Sequence, residues 1–386
     1  MCGIIGVVSR PPTRPTPTPA ELTGGLRTAE ASWPDLAVVT SRVREVDGLL
    51  HGLPGVLALA GRPDVVAELT ASLDRLDALA DGRDAELDRH AETMRVDELE
   101  AANAALIALR DQLWAVRRDR IPTVAAVESL AGRDAGPAAL SGYLVVQQAL
   151  SALDRLEVRG RDSAGVHLFV RGHDIAPHAL AALWAERGTD PLFQDGAVEV
   201  SGDVLSFTYK AAAEIGELGD NTAALRASIA GDALLRRALA SPDAQVSLLG
   251  HTRWASVGII SEPNTHPVNS RELEQPAGAP PPYVVAALNG DVDNHADLRA
   301  EHALRIPAPI TTDAKVIPTI TARHLAEGIE PVDAFRRTVS TFEGSVAIAA
   351  ISASAPSTLL LALRGSGQGL YVGLGDDCYI VASEPY

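Results

Sequence analysis

The sequence predicts an α+β chain, with antiparallel sheets that carry helices on their faces. Short apolar, β-branched runs crowd the second half of the chain, many at hairpin spacing. Helical stretches lie between them. A leucine-stepped region, from residue 64 to residue 119, stands apart from both.

Taken in order, "GIIGVVS" (3–9) is short, β-branched and followed by prolines, and predicts a buried strand. "RPPTRPTPTPAELTGG" reads as a Pro/Thr-rich linker without regular structure. Val66, Leu69, Leu73 and Leu76 step by three and four, as do Leu99, Ala102, Leu106, Leu109, Leu113 and Val116. Joined by the polar "DGRDAELDRH", they predict a helical hairpin; two ordinary amphipathic helices on a core are the alternative. "YLVVQQALSALDRLEVRG" predicts a helix and "AGVHLFV" a strand. "GDVLSFTYK" predicts a strand that gives way to helical turns. Further strands are expected at "AQVSLLGHTRW", "YVVAALNG", "GSVAIAAIS", "STLLLALRG", "GLYVGLG" and "CYIVAS". The division expected is a core of residues 1–9 and 141–386 with an insertion, 10–140, whose ends lie close together.

The charge balance narrows the partners. Fifty acidic residues against 33 basic ones give a net charge of −17, which repels phosphate backbones and argues against nucleic acid. No apolar run is long enough to span a membrane, and no basic segment precedes an apolar one as in a signal peptide. Cys2 and Cys378 are the only thiols, too few for a disulfide framework or a thiolate zinc cluster. No P-loop, HExxH or EF-hand pattern occurs, and "GSGQGLYVGLG" runs into a strand instead of opening a helix. The expectation is a soluble, cytoplasmic protein without metal or cofactor.

Four short stretches carry chemistry. Once Met1 is removed, Cys2 presents a thiol and an α-amine on one residue. The amine's reference pKa of about 7.7–8.0 lets it serve as base for its own thiol. The bland alternative is a small hydrophobe at the start of a strand. In "GHTRWASVG", Arg253 can fork onto a carboxylate and Trp254 can cap a pocket; a surface ion pair and a core tryptophan would also account for them. In "LNGDVDN", Asn289 and Gly290 read as a hairpin turn or as an oxyanion hole. In "TTDAKV", Asp313 reads as a helix N-terminal carboxylate or as the acceptor of a ligand ammonium.

Order and content together resemble the glutaminase domain of glucosamine-6-phosphate synthase (glutamine–fructose-6-phosphate aminotransferase), a class II, N-terminal-nucleophile glutamine amidotransferase. The likeness runs through "MCGIIGVV", "LEVRGRDSAGV", "GHTRWASVGIISEPNTHPV", "LNGDVDNHADLR", "TTDAKVI", "FEGSVAIAAI" and "LRGSGQGLYVGLGDDCYIVAS". Residues 10–140 lie mostly outside it. The resemblance implies a four-layer αββα sandwich, with Cys2 as nucleophile and Asn289 and Gly290 as the oxyanion hole. Arg253, helped by Ser256, would bind the α-carboxylate of L-glutamine, and Asp313 its α-ammonium. Trp254 would lie on a closing loop, Arg159 and Gly160 beside the Cys2 amine, and His266 near the site. Val257 and Leu288 stand where the family often has histidine, and Arg161 where it often has an aromatic residue.

The implied reaction is hydrolysis of glutamine to glutamate and ammonia, supplied to a sugar-phosphate isomerase-type synthase domain that makes glucosamine 6-phosphate. That domain is expected either in a longer chain or in a partner subunit, with self-association left open. The alternatives are a different ammonia acceptor, hydrolysis of another amide, and an inactive regulatory or scaffolding module.

Overall fold

A computed structural model describes residues 2–188, 192–212, 217–273 and 281–385. The chain divides into two compact units, Pro12–Ala135 and a core made of Met1–Pro11 with Gly136–Tyr386.

Strand β1 (Gly3–Ser9) belongs to the core and precedes the helical unit. That unit contains α1 (Pro19–Ala31), α2 (Leu36–Leu50), α3 (Gly52–Leu59), α4 (Pro63–His90), α5 (Val96–Trp114) and α6 (Ile121–Ala131), with a π-helical turn at Ala115–Arg120. Helices α4 and α5 run antiparallel. Arg110 pairs with Asp81 and Asp84, and Arg117, seven residues on, pairs with Asp74 and Asp77. Leu69, Leu73, Leu76, Leu106, Leu109 and Leu113 are buried.

Two expectations need correction. The polar "DGRDAELDRH" is not a joint but the last turns of α4, because its acidic and basic residues can face water along a continuous helix. The linker reading also runs too far. Thr18 caps α1 through a reciprocal capping box with Glu21, and Pro19 occupies the first turn, where a missing N–H costs nothing. The unit is a helical bundle rather than a hairpin alone.

In the core, α7 (Pro137–Leu156) leads to β2 (Ser163–Arg171), α8 (Pro177–Arg187), β3 (Val198–Ser201) and β4 (Val204–Ala211). Then follow α9 (Asp220–Gly231), α10 (Ala233–Leu239), β5 (Gln245–Arg253), β6 (Val268–Asn269) and β7 (Val284–Gly290). Helices α11 (His295–Glu301), α12 (Val316–Ala326) and α13 (Pro331–Ser340) precede β8 (Val346–Ser352), β9 (Leu360–Arg364), β10 (Tyr371–Leu374) and β11 (Cys378–Ala382).

The strands form two antiparallel sheets, β10-β11-β1-β5-β2-β4-β3 and β6-β7-β8-β9. Their inner faces meet through Ile4, Phe169 and Leu249 of the first and Val285, Ala287, Ala349 and Ile351 of the second. Helix α7 covers the outer face of the first sheet: a Cβ on Gly250 would meet both Ile5 and Leu153. Helices α12 and α13 cover the second sheet, where Ile317, Ile320 and Phe335 pack with Leu288 and Ile348. The layers are thus helix, sheet, sheet and helix, the αββα order that the family resemblance implies.

Candidate active site

Strand register and parity build the site. Gly3 pairs with Thr252 and Ile4 with His251, so one further step sets Cys2 beside Arg253. Ser163, at the start of β2, flanks Arg253 on its other side. Ile4 and Leu249 face the second sheet. Side chains alternate along a strand, so Cys2, His251 and Arg253 share that inward face. On β7, Val285 and Ala287 face the first sheet while Ala286 and Leu288 face the helices. Asn289 therefore turns inward toward the face that carries Cys2.

Cys2 is half-buried, and its Sγ accepts the Trp254 N–H at 3.2 Å. Burial pushes the thiol above its ordinary range, against the pull of the Trp254 N–H and the Arg253 charge. Proton removal thus needs a base close at hand. Met1, whose removal would free the Cys2 amine, lies outside the described residues.

Arg253 is buried at 2% exposure and donates to the carbonyls of Ile259 (3.1 Å), Gly258 (3.3 Å) and Val257. Burial lowers its affinity for a proton, and the Cys2 and Asp313 charges oppose that shift. A ligand carboxylate would exchange those three carbonyls for a charged partner, a stronger hydrogen-bond acceptor.

Asp313 opens a 3-10 turn before α12, and its Oδ2 accepts the Val292 N–H at 2.8 Å. Burial raises its pKa, with the Val292 N–H opposing. A ligand ammonium there would reverse the burial effect. Asn289 is buried and its Oδ1 lies 3.2 Å from His251 Nε2. Gly290 adopts φ +91°, and a Cβ there would lie 1.9 Å from the Ser345 carbonyl oxygen. Only glycine fits, which brings the β7 backbone close to the start of β8.

The remaining expected residues occupy more varied positions. Trp254 is exposed beside Cys2. Ser256 donates to Asp291 Oδ1 at 2.6 Å, an acidic partner next to Gly290. Arg159 pairs with Glu384, next to Ser383, whose Oγ accepts the Ile4 N–H at 3.0 Å. A Cβ on Gly160 would lie 2.7 Å from the Arg253 carbonyl carbon and the Trp254 nitrogen, so this glycine lets the "RG" turn touch the backbone that holds Cys2. His266 packs against His251 with the rings tilted by 40° and their centroids 4.6 Å apart, and its Nε2 is 2.9 Å from Thr312 Oγ1. Thr312 in turn donates to Asp313 Oδ1 at 3.4 Å. Leu288 packs among the helices, away from the inward face, and Val257 contributes only its carbonyl.

Three supports escaped sequence reasoning although each lies in or beside a quoted motif. Asp162 Oδ2 accepts the Ala255 N–H at 2.8 Å, and its own N–H bonds the Arg253 carbonyl at 3.1 Å. Asn264 Oδ1 accepts the N–H groups of Thr311 (2.7 Å) and Thr312 (2.9 Å), which holds the segment leading to Asp313. His251 is the third.

A surface cleft of about 440 Å³, lined by Ser201, Asp203, Arg271, Tyr283 and Ser354, lies where β7 begins and β8 ends, at the far end of both strands. It contains none of these residues. Among the described residues no His, Cys, Asp and Glu cluster of metal-binding size gathers, and no helix is long and apolar enough to cross a membrane.

No family model matches the chain. The glutamine–fructose-6-phosphate aminotransferase (isomerizing) of Bacillus anthracis is 26% identical over 235 residues, 61% of this chain and 29% of that protein. That of Geobacillus kaustophilus is 32% identical over 149 residues, 38% of this chain and 23% of that protein. That of Bacillus subtilis is 32% identical over 136 residues, 35% and 21% respectively. The chain covers less than a third of the length of these relatives. Among solved structures, a glutamine phosphoribosylpyrophosphate amidotransferase from B. subtilis aligns at TM-score 0.33 and 24% identity, covering 57% of this chain and 41% of that chain. In sequence the chain is similar to the N-terminal part of the aminotransferases, in agreement with the class II glutamine amidotransferase resemblance.

Proposed function

We propose that this chain is a class II glutaminase module that hydrolyses L-glutamine to glutamate and ammonia, with Cys2 as its N-terminal nucleophile. The observation that carries the reading is the convergence of Cys2, Arg253 and Asn289 on one inward face, with the Asp313 carboxylate near enough to oppose the burial shift of Arg253.

The chemistry follows from these positions. Arg253 holds the glutamine α-carboxylate and Asp313 its α-ammonium, which directs the side-chain amide at Cys2. The freed α-amine takes the thiol proton, and the sulfur adds to the amide carbon. Negative charge builds on the carbonyl oxygen and is met by the Asn289 carboxamide and the Gly290 N–H. The C–N bond breaks, and nitrogen takes the proton from the amine and leaves as ammonia. Water then adds to the thioester, the C–S bond breaks, and glutamate leaves as the thiol is restored. We assign the ammonia to a sugar-phosphate isomerase-type synthase domain, because the relatives in sequence are isomerizing aminotransferases of fructose 6-phosphate by name. Arg159, Gly160, Trp254, Ser256 and His266 take supporting roles around this centre.

The test is release of glutamate and ammonia in equal amounts from L-glutamine by protein lacking Met1. A Cys2→Ala variant should release neither. Release by Cys2→Ala, or none by the mature parent, would overturn the reading.

A further inference from the structure

We propose that His251 is a positioning residue that fixes the Asn289 carboxamide and the end of β7, so that Asn289 Nδ2 and the Gly290 N–H face the reacting carbonyl together. The proposal rests on the reading of Asn289 and Gly290 as oxyanion donors.

The hydrogen-bond geometry leaves one arrangement. His251 Nε2 lies 2.9 Å from the Leu288 carbonyl oxygen and 3.2 Å from Asn289 Oδ1. A backbone carbonyl can only accept, so Nε2 carries the proton and donates. The Asn289 amide must then present its oxygen to His251, since an NH₂ group there would face a second donor. Nδ2 is turned the other way and makes no hydrogen bond among the described residues. It is a free donor on the face shared with Cys2.

The same ring acts on both donors. Its bond to Leu288 holds the residue before Asn289, while its contact with Oδ1 sets the Asn289 side-chain torsion. His251 is completely buried, which keeps the ring neutral by pushing its pKa down to about 3. A neutral ring keeps a bare Nδ1 and a single N–H, and the His266 ring packed against it at 4.6 Å limits its rotation. An oxyanion donor is effective only if it needs no reorganisation when charge appears, and an unrestrained carboxamide would.

The test is a double-mutant cycle on glutamine hydrolysis. His251→Phe keeps a ring of similar size but removes the donor. It should lower kcat about 10-fold with KM within about 2-fold, as expected for a group acting through the transition state. Asn289→Ala should lower kcat by about 10²–10³. The double variant should lose much less than the product of the two single losses, because with the Asn289 carboxamide gone His251 has only the Gly290 N–H left to hold. His251→Gln, whose Nε2 reaches nearly as far, should recover most of the loss. Multiplying losses, or a His251→Phe effect confined to KM, would overturn the proposal.

Should the parent release no ammonia, the glutaminase reading fails while the positioning claim is judged by NMR. In protein labelled with 15N-asparagine, the carboxamide pair missing from Asn289→Ala should be sharp and inequivalent in the parent and in His251→Gln. It should broaden in His251→Phe, as the carboxamide samples more than one orientation. If His251→Phe does not fold, loss of the sharp pair in His251→Gln overturns the claim on its own.

Discussion

Gly290→Ala separates a turn glycine from a glycine that shapes an oxyanion hole. The added methyl would lie 1.9 Å from the Ser345 carbonyl oxygen, where ordinary contact begins at 3.4 Å, so the two strands must part by about 1.5 Å. An oxyanion donor works within about 2.7–3.1 Å, so a displacement of that size takes the Gly290 N–H, and Asn289 beside it, out of range. The expected result is a kcat lower by about 10²–10³ with little change in KM, because Arg253 and Asp313 are untouched. Stability falls by two routes. The φ of +91° costs a side chain about 1–2 kcal/mol, and the overpacking costs about 1–3 kcal/mol more. Gly328→Ala is the control: φ is +82° and nothing lies within 4 Å, so it carries only the backbone strain. At about 2–4 °C per kcal/mol, Gly290→Ala should melt several degrees below Gly328→Ala, and only the former should lose turnover. Equal melting temperatures with unchanged kcat would show that Gly290 is an ordinary turn residue, and the site geometry drawn here would be wrong.

Intact mass of active protein should lack one methionine, Cys2→Ser should lose nearly all turnover, and Cys378→Ser on β11 should keep it. Arg253→Lys loses the planar fork and Asp313→Asn the negative charge, so both should raise KM for glutamine more than they lower kcat; unchanged KM in both would remove the clamp assignment. Burial depresses His167 and His251 from 6.5 to about 3, so the folded state refuses protons that the unfolded chain accepts. Stability should therefore fall as pH drops from 6.5 toward 3, by at most about 1.4 kcal/mol per pH unit for each ring, read as a declining urea midpoint; His167→Phe should flatten the slope between pH 6.5 and 5. Replacing Pro12–Ala135 by a short Gly/Ser linker should leave a folded glutaminase, since both flanks lie in the core unit. A folded but inactive deletion would show that the helical unit completes the site.

What the sequence revealed depended on how local the physics was. Strands such as "YVVAALNG" and "GSVAIAAIS" carry their signal in composition, because a strand buried on both faces must be apolar throughout. A helix after Asp313 is one of the two readings that "TTDAKV" offers, and α12 begins at Val316, whereas β6 is invisible because two residues carry no period. The start of α1 was legible in principle: Thr18, Pro19 and Glu21 are a complete capping signal, hidden by the prolines before it. The reactive and charged members of the site, Cys2, Arg253 and Asp313, stood out because a thiol, a guanidinium and a carboxylate have definite chemistry wherever they fall. Their supports did not. His251 sits two residues before Arg253, and nothing local says that it reaches Asn289, 38 residues on. That contact exists only because β5 and β7 belong to different sheets whose inward faces oppose each other. A residue whose task is to orient another is visible only when both strands are in place. Side chains such as Asp162, Asn264 and His251, each donating to or accepting from a segment that carries another residue of the site, are therefore where sequence reasoning stops and geometry must take over.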